Sequence, residues 1–62
     1  MNKERIPDYV TEQIEKYKTE KEDGFVSINS KETALLFINM ALLNNRITED
    51  EAIELRTIVE EI

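Results

Sequence analysis

The chain has 62 residues, with 14 acidic side chains against 8 basic ones, a net charge of −6, and no His, Cys or Trp. A chain of this length forms one domain at most, and its folding buries only about 60% of the surface that the unfolded chain exposes. The missing residue types exclude disulfides, a thiol nucleophile and the usual zinc ligands, and they remove the commonest general base.

The composition predicts a folded, all-α domain, because 40% of the residues are hydrophobic and there is only one Gly and one Pro. The negative charge disfavours contact with nucleic-acid phosphates and with anionic membranes, so we expect neither as a direct partner. The longest apolar run, 34–43, is too short to span a bilayer. We expect a cytoplasmic protein, since the N-terminal residues have no apolar signal core. The Ile-, Asn-, Lys- and Glu-rich composition suggests a bacterial or phage gene.

The first predicted helix covers about 7–22. Pro7 suits the first turn, where its missing N–H has no helical partner, and Asp8 lies near the positive end of the helix dipole. Gly24 supplies a left-handed residue that ends the helix. Four apolar residues fall on one narrow stripe at helical spacing: Ile6, Val10, Ile14 and Tyr17.

Residues 24–29 are predicted to form an extended connector. Its segment Phe25-Val26-Ser27-Ile28 has strand-like residues, but the chain offers no second strand-like segment to pair with it. Two alternatives stay open: a connector whose Phe25 and Ile28 fill the core, which we favour, or a strand that pairs with its counterpart in a second subunit.

The second predicted helix covers about 30–44, with Asn29 or Ser30 as the cap at its start and capping-box spacing between Asn29 and Glu32. Its apolar residues lie almost all round the helix. One stripe consists of Leu35, Ile38 and Leu42; another, roughly 100° away, consists of Leu36, Met40 and Leu43; Ala34, Phe37 and Ala41 fill much of the remainder. A helix that is apolar on every side needs cover on every side.

The third predicted helix covers about 49–61. Thr48 and Glu51 form a capping box, and Ile47 is placed to pack on Ala52. The short link before it predicts an antiparallel hairpin with the second helix. The core stripe is expected to consist of Ala52, Leu55, Ile58 or Val59, and Ile62.

Two narrow stripes cannot easily cover the second helix. Either the flanking helices enclose it in a monomeric three-helix bundle, or one of its stripes stays exposed and forms a two-fold dimer. We expect a homodimer, because a second copy enlarges a core that is marginal in one chain. The candidate interface consists of Tyr9, Leu36, Phe37, Met40, Leu43 and Ile53.

Catalysis is not expected, and no catalytic, cofactor-binding or metal-binding residues are assigned. Acidic pairs such as Asp50 and Glu54 share helical faces, but acid–base work needs a desolvated cleft that a small bundle hardly provides. The acidic residues 49–51 are explained by the helix dipole. One Gly cannot build a phosphate loop, and no calcium-loop spacing is present.

The sequence therefore predicts a non-catalytic interaction module, a small acidic regulatory or inhibitory protein that self-associates or docks a partner through the apolar faces of its middle helix. The alternative is an acidic mimic of nucleic acid that inhibits a DNA- or RNA-binding protein, a role that would fit a phage gene.

Overall fold

Three helices build the part of the chain that the computed structural model describes, residues 6–25 and 28–62. They are α1 (Asp8–Glu22), α2 (Ile28–Leu43) and α3 (Glu49–Glu61), and the described residues contain no strand. The Cα radius of gyration is 11.2 Å, close to the value of about 10.6 Å typical of a compact chain of this length. The predicted all-α class with three helices is confirmed.

The ends of α1 follow the signals in the sequence. Pro7 is the N-cap, and its carbonyl accepts a hydrogen bond from the N–H of Val10 at 3.0 Å. At the other end Gly24 has a φ of +84°, a conformation that glycine adopts without strain. The N–H of Phe25 donates to the Glu20 carbonyl at 3.0 Å, and that of Gly24 donates to Lys21 at 3.1 Å. Together these bonds form a Schellman motif, as the position of Gly24 predicts.

The start of α2 differs from the prediction. The helix already includes Ile28, so Asn29 lies inside it and cannot be the N-cap of the predicted capping box. The Ser30 hydroxyl instead donates to the Glu20 carboxylate of α1, so a contact between helices uses the polar group assigned to the cap region.

Phe25 and Ile28 are each 65% exposed, and the prediction that they fill the core is wrong. Val26 and Ser27 lie outside the described residues, and so does the choice between a connector and an intersubunit strand.

Two local motifs separate α2 from α3. Asn45 has a φ of +61°, and the N–H of Arg46 donates to the Ala41 carbonyl at 2.8 Å, so α2 ends in a second Schellman motif. At the start of α3 the hydroxyl of Thr48 accepts from the N–H of Glu51 at 3.2 Å. The Glu51 carboxylate accepts from the N–H of Thr48 at 2.8 Å. The predicted capping box is therefore confirmed.

This cap gives a first testable prediction. Replacing Thr48 by Ala removes the acceptor of the Glu51 N–H, and we expect the free energy of unfolding to fall by about 1 kcal/mol. Urea unfolding followed by circular dichroism measures the change. Thr57→Ala is the matched control, because the Thr57 hydroxyl only donates to the Ile53 carbonyl within the same exposed helix. Equal losses in the two variants would contradict a specific role for the cap.

The core forms where α2 packs against both α1 and α3. As predicted, α1 contributes Val10, Ile14 and Tyr17, with Ile6 packed at the edge. From α3, Val59 is buried and Ile58 is exposed, which settles the open alternative in that stripe. Among residues 6–25 and 28–62, the buried apolar residues are Val10, Ile14, Tyr17, Ala34, Ile38, Ala41, Ile47, Ala52, Leu55 and Val59.

Candidate interaction surface

The middle helix has apolar side chains on both its buried and its exposed side. Its fully buried side chains are Ala34, Ile38 and Ala41. Leu36, Met40 and Leu43, which we call the outer stripe, are 54%, 43% and 80% exposed. The two sides of the helix therefore differ in burial but hardly in polarity.

Helical geometry places the outer stripe opposite the core. At about 100° per residue, Met40 and Leu43 lie within about 40° of Leu36 around the helix axis, whereas Ile38 lies about 160° away. The other predicted stripe lies on the core side: Ile38 is buried, and Leu35 and Leu42 are half-buried against the core. The outer stripe is thus the part of α2 that neither neighbouring helix covers.

An aromatic pair borders the outer stripe on the α1 side. The rings of Tyr9 and Phe37 meet edge to face, with centroids 5.9 Å apart and planes inclined at 73°. Phe37 is half-buried and packs against the core, and Tyr9 is 38% exposed. Tyr9 is therefore the accessible member of the pair, and Phe37 supports it from below.

A polar contact borders the outer stripe on the α3 side. The guanidinium of Arg56 donates to the Asn39 side-chain oxygen at 2.6 Å, and Asn39 lies one turn from both Leu36 and Leu43. Ile53, three residues before Arg56 and so on the same side of α3, is 56% exposed. Sequence reasoning missed this contact. Nothing in the sequence pairs Asn39 with Arg56.

The six residues of the candidate interface therefore lie on α2 or on the neighbouring edges of α1 and α3, and five of them are exposed. Phe37 is the one that is only partly accessible. Ile58 is 48% exposed but lies elsewhere, in an open cleft of about 400 Å³ together with Lys18, Lys21 and Ile62. Ile58 is therefore a useful control position.

Besides Arg56, which flanks the outer stripe through its contact with Asn39, charged side chains lie at the two ends of the stripe. Glu32 lies one turn before Leu36, and Arg46 is exposed just after Leu43. At Lys31, the residue before Glu32, the side-chain ammonium lies 2.9 Å from the Glu60 carboxylate of α3. That hydrogen bond and the nearby negative charge raise the pKa of Lys31 above its ordinary value. Between Leu36 and Leu43 the stripe carries no formal charge, although the whole chain is strongly acidic.

In residues 6–25 and 28–62, no group of three or more acidic residues is arranged to hold a metal ion. Within the same residues, none of the helices combines the length and apolar character needed to cross a bilayer. Comparison of the chain with protein-family models, curated proteins and solved structures gave no match.

Proposed function

We propose that this chain is a protein–protein interaction module, of the kind found in small regulatory or inhibitory proteins, and that it binds through the outer stripe of α2. The observation that carries the proposal is the exposure of three large apolar side chains on one side of α2, Leu36, Met40 and Leu43. Contiguous exposed apolar residues with polar groups at their margin are typical of protein-binding surfaces.

The proposal includes the arrangement of α2 and α3 as an antiparallel hairpin. Two contacts support it: Lys31 near the start of α2 meets Glu60 near the end of α3, and Asn39 further along α2 meets Arg56 earlier in α3. In that arrangement α3 supports α2 along its length and leaves the outer stripe free. The cytoplasmic setting expected from the composition is also part of the proposal.

The acidic-mimic alternative is not favoured by a specific contact. A mimic needs carboxylates arranged along one surface in the manner of phosphates. In α3 the acidic residues of the first turn, Glu49, Asp50 and Glu51, are accounted for by the helix start, and Glu51 also completes the capping box. The net charge of −6 lies within the ordinary range for solubility of a small domain.

Site-specific photocrosslinking tests the proposed function. A photoreactive residue replaces Leu36 in one sample and Ile58 in another, and each purified chain is irradiated in isolation and in cell extract. We expect a discrete cross-linked product from position 36 and little or none from position 58, because only the former lies on the outer stripe. Mass spectrometry identifies the product as a second copy or as another protein.

Salt dependence separates the two functions. Apolar contact predicts a yield at position 36 that changes little between about 0.05 M and about 0.5 M salt, whereas charge mimicry predicts a steep loss. A product that disappears at high salt, or equal yields from positions 36 and 58, would contradict binding through the outer stripe.

A further inference from the structure

We infer that the occupant of the outer stripe is a second copy of this chain, bound about a two-fold axis with the two α2 helices antiparallel. The inference rests on the proposed function, and it adds the partner, the orientation and the register.

The core of one copy is small. In residues 6–25 and 28–62, the largest side chains that are fully buried are Val10, Ile38 and Val59. A second copy that covers Leu36, Met40 and Leu43 would add three large apolar side chains from each chain to the buried set. A small interface buries less than about 1,200 Å² in total, or roughly 600 Å² from each copy. That is about an eighth of the 4611 Å² accessible surface, which one open face of a three-helix body can supply.

The distribution of charge on the chain also favours a second copy as the partner. Two copies of a chain with a net charge of −6 repel each other, and the repulsion is smallest where their uncharged surfaces meet. The outer stripe between Leu36 and Leu43 is such a surface. A second copy therefore approaches most favourably with its own outer stripe in front, which is the self-complementary arrangement of a two-fold dimer.

The charges at the two ends of the outer stripe favour an antiparallel arrangement of the two α2 helices. With antiparallel helices and the axis midway along the stripe, Leu36 of each copy packs on Leu43 of the other, and Met40 lies near the axis. Glu32 then lies level with the end of the other α2, where Arg46 is exposed, so opposite charges are brought together. In a parallel dimer Glu32 of one copy would face Glu32 of the other. The acidic first turns of the two α3 helices would also lie at the same end of the dimer, so like charges would be brought together. Antiparallel helix dipoles favour the same orientation.

Engineered cysteines test the inference cleanly, because the natural sequence contains none. Three single variants, Leu36→Cys, Met40→Cys and Leu43→Cys, and the control Ile58→Cys are oxidised under identical mild conditions. Disulfides require Cα atoms about 4.4–6.8 Å apart, so only facing positions link quickly. We expect Met40→Cys to form a linked dimer at least about tenfold faster than Ile58→Cys. We also expect a mixture of Leu36→Cys and Leu43→Cys to link faster than either variant does with itself.

Sedimentation of the unmodified chain completes the test. We expect a reversible dimer whose dissociation constant is micromolar, as suits an interface with few central residues. A monomer at about 100 µM would overturn the inference, since the dimer should then be well populated. Self-linking of Leu36→Cys faster than the mixture would overturn the antiparallel register. If the chain is monomeric but position 36 cross-links to a different protein, the proposed function stands and the second copy is rejected. If position 36 cross-links to nothing, both fail.

Discussion

Replacing Leu36 and Met40 together by glutamate is expected to leave the chain folded and to make it monomeric. Both side chains are exposed in one copy, so charging them buries no uncompensated carboxylate there. Glutamate forms helices about as well as leucine and methionine, and the new like-charge spacing costs only about 0.2–0.5 kcal/mol per pair. In a dimer the same changes would place four carboxylates in an apolar contact, and the dissociation constant should rise at least about a hundredfold.

Three measurements test this variant. Circular dichroism should show unchanged helix content, and sedimentation should show a single monomeric species. The melting temperature of the unmodified chain should rise with its concentration, because a partner that binds only the folded state stabilises it, whereas that of the variant should not. Leu36→Lys with Met40→Lys is the matched control and should also be monomeric. If the lysine variant still dimerises, net charge rather than loss of apolar contact separated the copies; if the glutamate variant unfolds, the outer stripe is internal core.

Replacing Ile38 by alanine is expected to have the opposite outcome, loss of the fold. Ile38 lies two residues from both Leu36 and Met40 along α2, but it is fully buried where α2 meets the core. Truncating a buried isoleucine to alanine costs about 2–5 kcal/mol. Total stabilities of about 0.05–0.15 kcal/mol per residue correspond to only about 3–9 kcal/mol for this chain. The alanine variant should therefore unfold completely or lose most of its stability.

Ile38→Val is the matched control for that prediction. It removes one methylene group and should cost about 0.5–1.5 kcal/mol, so the variant stays folded and its urea midpoint is measurable. A loss below about 1 kcal/mol for Ile38→Ala would contradict the packing of α2 described here, because a position that tolerates the cavity is not central to the core.

The ends of the helices could be predicted where a local chemical signal acts within one turn. Gly24 ends α1 because its φ of +84° costs nothing without a side chain, and Thr48 with Glu51 begins α3 through two hydrogen bonds of short sequence separation. The same reasoning failed at Asn29 and Ser30. They have the residue types of a helix start, but Ser30 bonds to Glu20 of another helix, and a contact across ten residues leaves no local trace.

The candidate surface, too, could be predicted only in part from the sequence. Sequence periodicity identifies α2 as apolar almost all round and therefore in need of a further partner or cover. It does not rank the stripes, since Leu36, Met40 and Leu43 are as apolar as Leu35, Ile38 and Leu42. The exposure of Ile53 and the hydrogen bond from Arg56 to Asn39 depend on how α3 lies against α2. Capping signals and hydrophobic periodicity describe single helices, so they do not predict this packing.

By itself, the sequence determined an acidic, all-α chain of three helices, the stripes that α1 and α3 turn inward, and the stop and start signals at Gly24 and Thr48. The tertiary structure decided which side of α2 is buried. Both neighbours pack on the side that carries Ala34, Ile38 and Ala41, and the outer stripe is left at the surface, because side chains from three separate helices must fit together there and no local signal specifies that fit.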